Sequence, residues 1–139
     1  MKDYQLWALA SAVFAGITAI LAKKGVETVP SNLAVAVRVA VVLVFAVGIA
    51  IATRQTAVGR LDTRAWTFLA LSGVATGLSW LCYFKALELG PVAAVAPIDK
   101  LSFVIAVVLG VVALHEKVTA NVWIGCGLIV AGVLVTLRP

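Results

Sequence analysis

The sequence predicts an all-α membrane protein, a polytopic bundle of about five transmembrane helices, and three observations support this. The chain is 63% hydrophobic and 12% charged, with a mean hydropathy of +1.14. A soluble domain carries about a quarter charged residues, because polar groups must cover its surface. The apolar runs approach the roughly 20 residues that a helix needs to cross a bilayer, and the charges cluster between them. We therefore expect one membrane domain over residues 1–139 and no separate soluble domain.

Five apolar runs define the expected helices. Lys23 and Lys24 end the first run, and Asp62 precedes the third as a favourable N-cap residue. Gly90 and Pro91 break the chain between the third and fourth runs. The predicted spans cover residues 5–22, 32–53, 65–84, 92–114 and 119–137.

Tryptophans and small residues agree with this count. Trp7, Trp66 and Trp123 fall at the starts of spans one, three and five, so alternating crossings place them at one membrane face, as in an aromatic belt. Gly73 and Gly77 form a GxxxG pattern in span three, a spacing that lets helix backbones approach closely in lipid. Both features favour a packed bundle.

The basic residues are almost evenly divided between the two membrane faces. The face of the N-terminus has five, and the opposite face has four: Lys2, Arg54, Arg60, Arg64 and Lys117, against Lys23, Lys24, Lys85 and Arg138. Membrane proteins are oriented by a clear excess of Lys and Arg on the cytoplasmic side. Two interpretations follow: a single orientation with the N-terminus inside, or dual topology, in which copies insert both ways and pair as an antiparallel dimer.

Three ionisable residues lie inside predicted spans, where a charge costs about 2.5–3.5 kcal/mol on insertion scales and marks a functional candidate. Arg38 lies in span two, and Asp99 and Lys100 lie in span four; both spans start from the same face. The three side chains are therefore expected at similar depth, where they could meet. Either they neutralise one another, or they are functional: their surplus positive charge attracts an anionic substrate group, or Asp99 exchanges a proton.

Two prolines, Pro91 and Pro97, mark the first half of span four. A proline removes a backbone donor and frees a carbonyl, and such interrupted helices often form transporter sites. We predict a helix kink there. The alternative is a simple turn before a helix that starts near Ile98, with Asp99 close to the positive end of that helix.

A stripe of hydroxyl groups follows the helical repeat along span three. Ser72, Thr76, Ser79 and Tyr83 are separated by steps of four, three and four, and Trp80 lies on the adjacent stripe. These groups either bond to their own or a neighbouring helix or line a cavity. Three residues of other spans could complete the cavity wall: Ser11, Thr18 and Ser102.

Several function classes receive no support. The net charge of +5 is distributed in short flanking clusters rather than in a basic stripe with interleaved aromatics, so we expect no nucleic-acid partner. The sequence contains no Ser-His-Asp set, metal-ligand cluster or phosphate loop. We expect neither an enzyme nor a cofactor; the expected partners are the lipid bilayer and a small-molecule substrate.

The junction of spans three and four resembles that of EamA-type transporters, a family of the drug/metabolite transporter superfamily. The resemblance rests on Tyr83 to Pro91, on Val95 to Ser102, on Glu116 after span four, and on Gly125 and Gly132 in span five. It covers essentially the whole chain as one five-helix repeat. Full-length members contain two such repeats in inverted orientation, so a single repeat departs from their pattern.

This resemblance implies an exporter of small metabolites or drugs, multi-pass in the inner (plasma) membrane of a prokaryote. It also implies that helices one to four of the repeat line the cavity. A single repeat is then expected to act by alternating access as a homodimer or with another half-size protein. The alternatives are an exporter like the small multidrug resistance proteins, which rely on a carboxylate that span one lacks, and a non-transporting subunit or lipid-carrier flippase partner.

Overall fold

The computed structural model describes residues 3–137 and contains no strand in that range. A short 3-10 turn, Val58–Arg60, lies in the longest connection. The helices are α1 (Asp3–Val26), α2 (Ser31–Ala52), α3 (Thr63–Leu89), α4 (Val92–Asp99), α5 (Leu101–Leu114) and α6 (Ala120–Thr136). The predicted all-α membrane bundle is confirmed, and each predicted span corresponds to one helical stretch, with α4 and α5 together forming the fourth.

The helical stretches differ in their capacity to cross a bilayer. α1, α2, α3 and the stretch Val92–Leu114 are long and apolar enough to do so, whereas α6 is apolar but has 17 residues. Large apolar side chains point outwards along these helices; Trp7, for example, is 78% exposed. Outward apolar surface of this extent matches a lipid environment rather than water.

The chain divides after Leu89 into two compact units. In the first unit, α3 packs against α1 and α2, which also contact each other. Its core combines small residues of α1, such as Ala19 and Ala22, with Phe84 and the fully buried Leu87 of α3. Small residues allow close helix packing in membranes. In the second unit, α6 packs against α4 and α5. The single membrane domain over residues 1–139 stays a prediction.

Backbone conformation fixes several helix ends. Asp62 accepts a hydrogen bond of 2.8 Å from the backbone N–H of Ala65, which confirms its predicted N-cap role for α3. After α2, Arg54 adopts a left-handed conformation (φ 56°), and the N–H of Gln55 donates to the carbonyl of Ala50 over 2.8 Å. This is the Schellman arrangement, in which glycine usually occupies the position of Arg54.

Two predicted boundaries are too short. α3 continues five residues beyond Phe84 to Leu89, and α1 continues beyond Ala22 to Val26. The prediction ended each span at the first lysine, but a helix extends past the hydrocarbon region because long basic side chains reach the interface. In α3, an ion pair of 3.0 Å between Lys85 and Glu88 also supports the final turn.

The GxxxG pattern of α3 makes no close helix contact within its own unit. A Cβ atom added at Gly73 or Gly77 would meet no atom within 4 Å. Both positions therefore lie on an open face of α3 as the structure describes it, and the close approach inferred from their spacing is absent among α1, α2 and α3.

Candidate functional site

Arg38 of α2 lies against two aromatic rings of α3. Its guanidinium carbon is 4.3 Å from the ring centroid of Trp80 and 5.4 Å from that of Phe84. Trp80 and Phe84 are four residues apart, so they lie one above the other on the same helix face. The rings attract the cation through their quadrupoles, which contributes about 0.5–2 kcal/mol depending on desolvation.

The charge of Arg38 is not neutralised within its unit. Among residues 3–89, Arg38 forms no hydrogen bond and no ion pair with a carboxylate. Its side chain is half-buried, seven residues after the start of α2, or about 10 Å along the helix at 1.5 Å per residue. The aromatic contacts lower the cost of the cation at this depth, and the N–H donors of the guanidinium stay available to an anionic group.

A cavity of about 450 Å³ opens beside Arg38 in the same unit. Arg38 contributes a charge to its wall and Thr18 contributes a hydroxyl, whereas the remaining lining residues are apolar or glycine. The lining comprises Thr18, Leu21, Ala22, Gly25, Val29, Ala34, Val37, Arg38, Val42 and Phe84. Small-molecule sites have this character, with mostly apolar walls and a few polar groups that fix orientation.

Of the predicted pathway residues, Arg38 and Thr18 line this cavity, and Trp80 contacts Arg38 without lining the cavity itself. Sequence reasoning missed Phe84, which is 3% exposed and contributes both to the cavity wall and to the contact with Arg38. The signal was present in the sequence, because Phe84 follows Trp80 by one helical turn on a stripe that already contained a predicted site residue.

The hydroxyl groups along α3 do not line the cavity described above. The hydroxyl of Thr76 donates to the carbonyl of Ser72 over 2.9 Å, which is a bond within its own helix. Ser79 and Ser11 are exposed, and Tyr83 is half-buried in edge-on contact with Phe84. None of these residues lines the cavity described above, and their place in a substrate pathway stays a prediction.

Two charged side chains tie the ends of α1, α2 and α3 together next to the cavity. Lys23 of α1 donates a hydrogen bond of 2.7 Å to the carbonyl of Leu87, in the last turn of α3. Glu88 accepts hydrogen bonds from the side chain and the backbone N–H of Ser31, the first residue of α2. A cation at a helix C-terminus and an anion at an N-terminus both complement the helix dipole.

In the second unit, Asp99 and Lys100 pair with each other. The Nζ atom of Lys100 is 3.4 Å from a carboxylate oxygen of Asp99, with both side chains partly exposed. They lie where α4 ends and α5 begins, and Ser102 follows on the exposed first turn of α5. Whether Arg38 meets this pair stays a prediction.

The two prolines occupy different positions at this helix. Pro91 is the N-cap residue and precedes α4, whereas Pro97 lies inside α4. The helix is interrupted three residues later, at Lys100, where the backbone N–H of Lys100 donates to the carbonyl of Pro97 and that of Phe103 to the carbonyl of Lys100, each over 3.1 Å. Hydrogen bonds that span three residues are tighter than those of a regular α-helix. Because the helix begins at Val92, a start near Ile98 does not describe it.

Metal binding has no support in the part of the chain that the structure describes. Residues 3–137 contain no group of three or more His, Cys, Asp or Glu side chains that could hold a metal ion.

A multi-pass helical protein with a half-buried cation in the wall of a mostly apolar cavity has features expected of a membrane transport protein. The comparisons with known proteins agree. The chain belongs to the EamA-like transporter family, whose family model matches residues 4–138.

One relative is a Sinorhizobium sp. protein named "Uncharacterized transporter in cobO 3'region". It is 47% identical over 134 residues, which are 96% of this chain and 95% of the relative. No solved structure matches the chain. Family and relative together identify a membrane transporter and confirm the resemblance seen in the sequence.

Proposed function

We propose that the chain is one half of an exporter of small organic solutes, which works by alternating access as a dimer of such units in the inner membrane of a prokaryote. The observation that carries the proposal is the cavity of α1, α2 and α3, with Arg38 in its wall. Its volume of about 450 Å³ lies in the lower half of the range of about 300–1,000 Å³ typical of small-molecule sites.

The dimer is supported by the charge distribution and by the relative. Five against four basic residues leave the orientation nearly unbiased, which suits copies inserted in opposite directions. Two antiparallel copies would reproduce the inverted repeats from which many transporters are built. The Sinorhizobium relative is matched over 95% of its length, so it too has the size of one repeat. A pair with another half-size protein is the alternative assembly.

Alternating access is supported by two features of the helices. The cavity lies between three helices of one unit, and the fourth span contains Pro97 and an interruption at Lys100, where a helix could bend during a change of access. Export rather than uptake is what the family resemblance implies. The proposed pathway therefore includes Arg38 and Thr18 in the cavity wall, Trp80 against Arg38, and Asp99 and Lys100 at the interruption.

Transport is tested with the purified chain in proteoliposomes loaded with a defined mixture of organic acids, amines and amino acids. Mass spectrometry of the external solution identifies which solutes leave faster than from protein-free vesicles. We expect accelerated release of a subset of the mixture, and loss of that release in Arg38→Ala and Asp99→Asn at equal reconstitution. Normal release by both variants would contradict the proposed pathway, and no accelerated release of any solute would contradict transport by this chain alone.

Topology is tested with reporter fusions to both termini. Signals from both sides of the membrane at each terminus support the antiparallel dimer. A single orientation at each terminus would exclude it and leave a parallel or heteromeric assembly.

A further inference from the structure

We infer that the cavity of α1, α2 and α3 binds a small organic monocarboxylate with an apolar or aromatic body, and that Arg38 holds the carboxylate. This inference deepens the proposed function, on which it rests, by naming a substrate class. It depends on the charge, the ring contacts and the lining of one site.

The charge of Arg38 determines the sign of the ligand charge. Arg38 is positively charged, and within residues 3–89 it has no carboxylate partner and no hydrogen-bond acceptor. A cationic ligand would be repelled at this wall. A ligand carboxylate would instead accept two parallel hydrogen bonds from the planar guanidinium, which a lysine at the same position could not provide.

Two aromatic rings determine where the guanidinium of Arg38 lies. Long basic side chains on membrane helices often reach out to lipid headgroups. Here the guanidinium lies against the rings of Trp80 and Phe84, nine and five residues before the end of α3. At 1.5 Å per residue, the rings hold it roughly 7–13 Å inside that end. Because Arg38 also forms part of the cavity wall, the cation held by these rings is available to a ligand in the cavity.

The cavity lining determines which kind of ligand body can be bound. Apart from Arg38 and Thr18, the cavity is lined by apolar residues and Gly25. A multiply charged or extensively hydroxylated solute would lose its hydration here without receiving enough hydrogen bonds in return. One cation and one hydroxyl suit a single acid group, and the apolar walls suit a hydrocarbon or aromatic remainder.

The test measures binding to the purified full chain in detergent, by its thermal stability and by equilibrium titration. Phenylacetate is the probe; phenylacetamide has the same shape without the charge, and phenethylamine carries the opposite charge. We expect phenylacetate to stabilise the protein and to bind about tenfold or more tightly than the amide, the scale of one charge-assisted contact. Equal binding of the amine or the amide would overturn the inference.

Variants assign the binding to this site. Arg38→Met is expected to abolish the preference for phenylacetate over the amide, and Arg38→Lys to retain only part of it. Gly25→Leu places a side chain in the cavity wall, where a Cβ meets no atom within 4 Å; Gly48→Leu is the matched control, because a Cβ there also meets no atom within 4 Å and Gly48 is outside the cavity lining. Size-exclusion profiles establish that each variant is folded.

Gly25→Leu should weaken phenylacetate binding, whereas Gly48→Leu should not. Unchanged binding in Arg38→Met or in Gly25→Leu would overturn the inference, even if one of the two variants fails to fold. So would stabilisation by phosphatidylglycerol without any effect of phenylacetate, because Arg38 would then be a headgroup contact.

Failure of the inference is distinguishable from failure of the proposed function. Binding of phenylacetate that is never released from proteoliposomes would support the site and contradict transport. Release of other solutes, unaffected by Arg38→Met, would support transport and overturn the carboxylate site.

Discussion

The two units of the chain differ in what surrounds the charged side chains of their predicted spans. In α1, α2 and α3, the cation of Arg38 is held against the rings of Trp80 and Phe84 and keeps its hydrogen-bond donors. In the second unit, Lys100 and its neighbour Asp99 pair with each other at a helix interruption. Aromatic rings leave a charge intact for a ligand, whereas an ion pair neutralises it. The first unit therefore contains the candidate binding site, and the second unit contains a candidate bend or proton-exchange site.

The largest effect is expected from Asp99→Asn. It leaves the positive charge of Lys100 without its partner, at a cost on the order of 2–4 kcal/mol in a membrane segment. We expect solute release from proteoliposomes to fall at least about tenfold, since each 1.4 kcal/mol corresponds to a factor of ten.

The double variant Asp99→Asn with Lys100→Gln restores neutrality at the interruption. Recovery of release would show that the pair serves mutual neutralisation, as the comparison states. Persistent loss in the double variant would instead assign Asp99 a role of its own, such as proton exchange.

Lys23→Met tests the contribution of one interhelical hydrogen bond to the stability of the first unit. Lys23 donates to the carbonyl of Leu87 from a partly buried position, and a hydrogen bond to a charged group contributes about 1.5–3 kcal/mol. We expect the free energy of unfolding, measured by denaturant titration in mixed micelles, to fall by about that amount.

The adjacent Lys24 provides the matched control for this change. It is 75% exposed and 3.9 Å from Glu27, an arrangement worth about 0–1 kcal/mol. Equal losses for Lys23→Met and Lys24→Met would contradict a specific contact at the end of α3.

Trp80→Leu tests the aromatic support of Arg38 while keeping the apolar character of the position. Loss of one ring contact is expected to cost about 0.5–2 kcal/mol, seen as weaker phenylacetate binding and a lower Tm. Trp66→Leu is the control, because Trp66 is 51% exposed near the start of α3, away from Arg38. An equal effect of both replacements would indicate general loss of aromatic surface.

The smallest expected effect applies equally to both units. Arg54 after α2 and His115 after α5 adopt left-handed conformations with φ of 56° and 54°, which cost a residue with a side chain about 1–2 kcal/mol. Glycine removes this cost but loses about 0.5–1 kcal/mol more backbone entropy on folding, so the net gain is small. Arg54→Gly and His115→Gly should each raise the Tm, whereas alanine at either position should not. A gain with alanine would point to charge rather than backbone strain.

The five helical stretches could be predicted from the sequence because each corresponds to one apolar run, whereas the interruption that divides the fourth into α4 and α5 did not follow from run length. The position of Arg38 along its helix followed in the same way. Its neighbours could not be predicted with equal certainty, because a sequence gives position along a helix but not which faces of two helices meet. Depth alone suggested Asp99 and Lys100 as partners; the contacts in its own unit are with Trp80, a predicted pathway residue, and Phe84, which was missed.

At the helix ends, too, contacts within one helix could be predicted and contacts between helices could not. The N-cap role of Asp62 was predictable because it depends on residues three positions apart. The contacts of Lys23 with Leu87 and of Glu88 with Ser31 join residues from different helices, so no local pattern indicates them. Charged residues that the sequence presents as solvated flanks are, in these two cases, interhelical contacts.

These contacts between helix ends impose an order on the biogenesis of the protein. The first turn of α2 is capped by Glu88, and Lys23 of α1 finds its acceptor at Leu87, so both partners are supplied by the last turn of α3. During synthesis, the first two helices enter the bilayer before these residues have been translated. The unit that contains the cavity therefore becomes complete only when the third helix leaves the translocation channel.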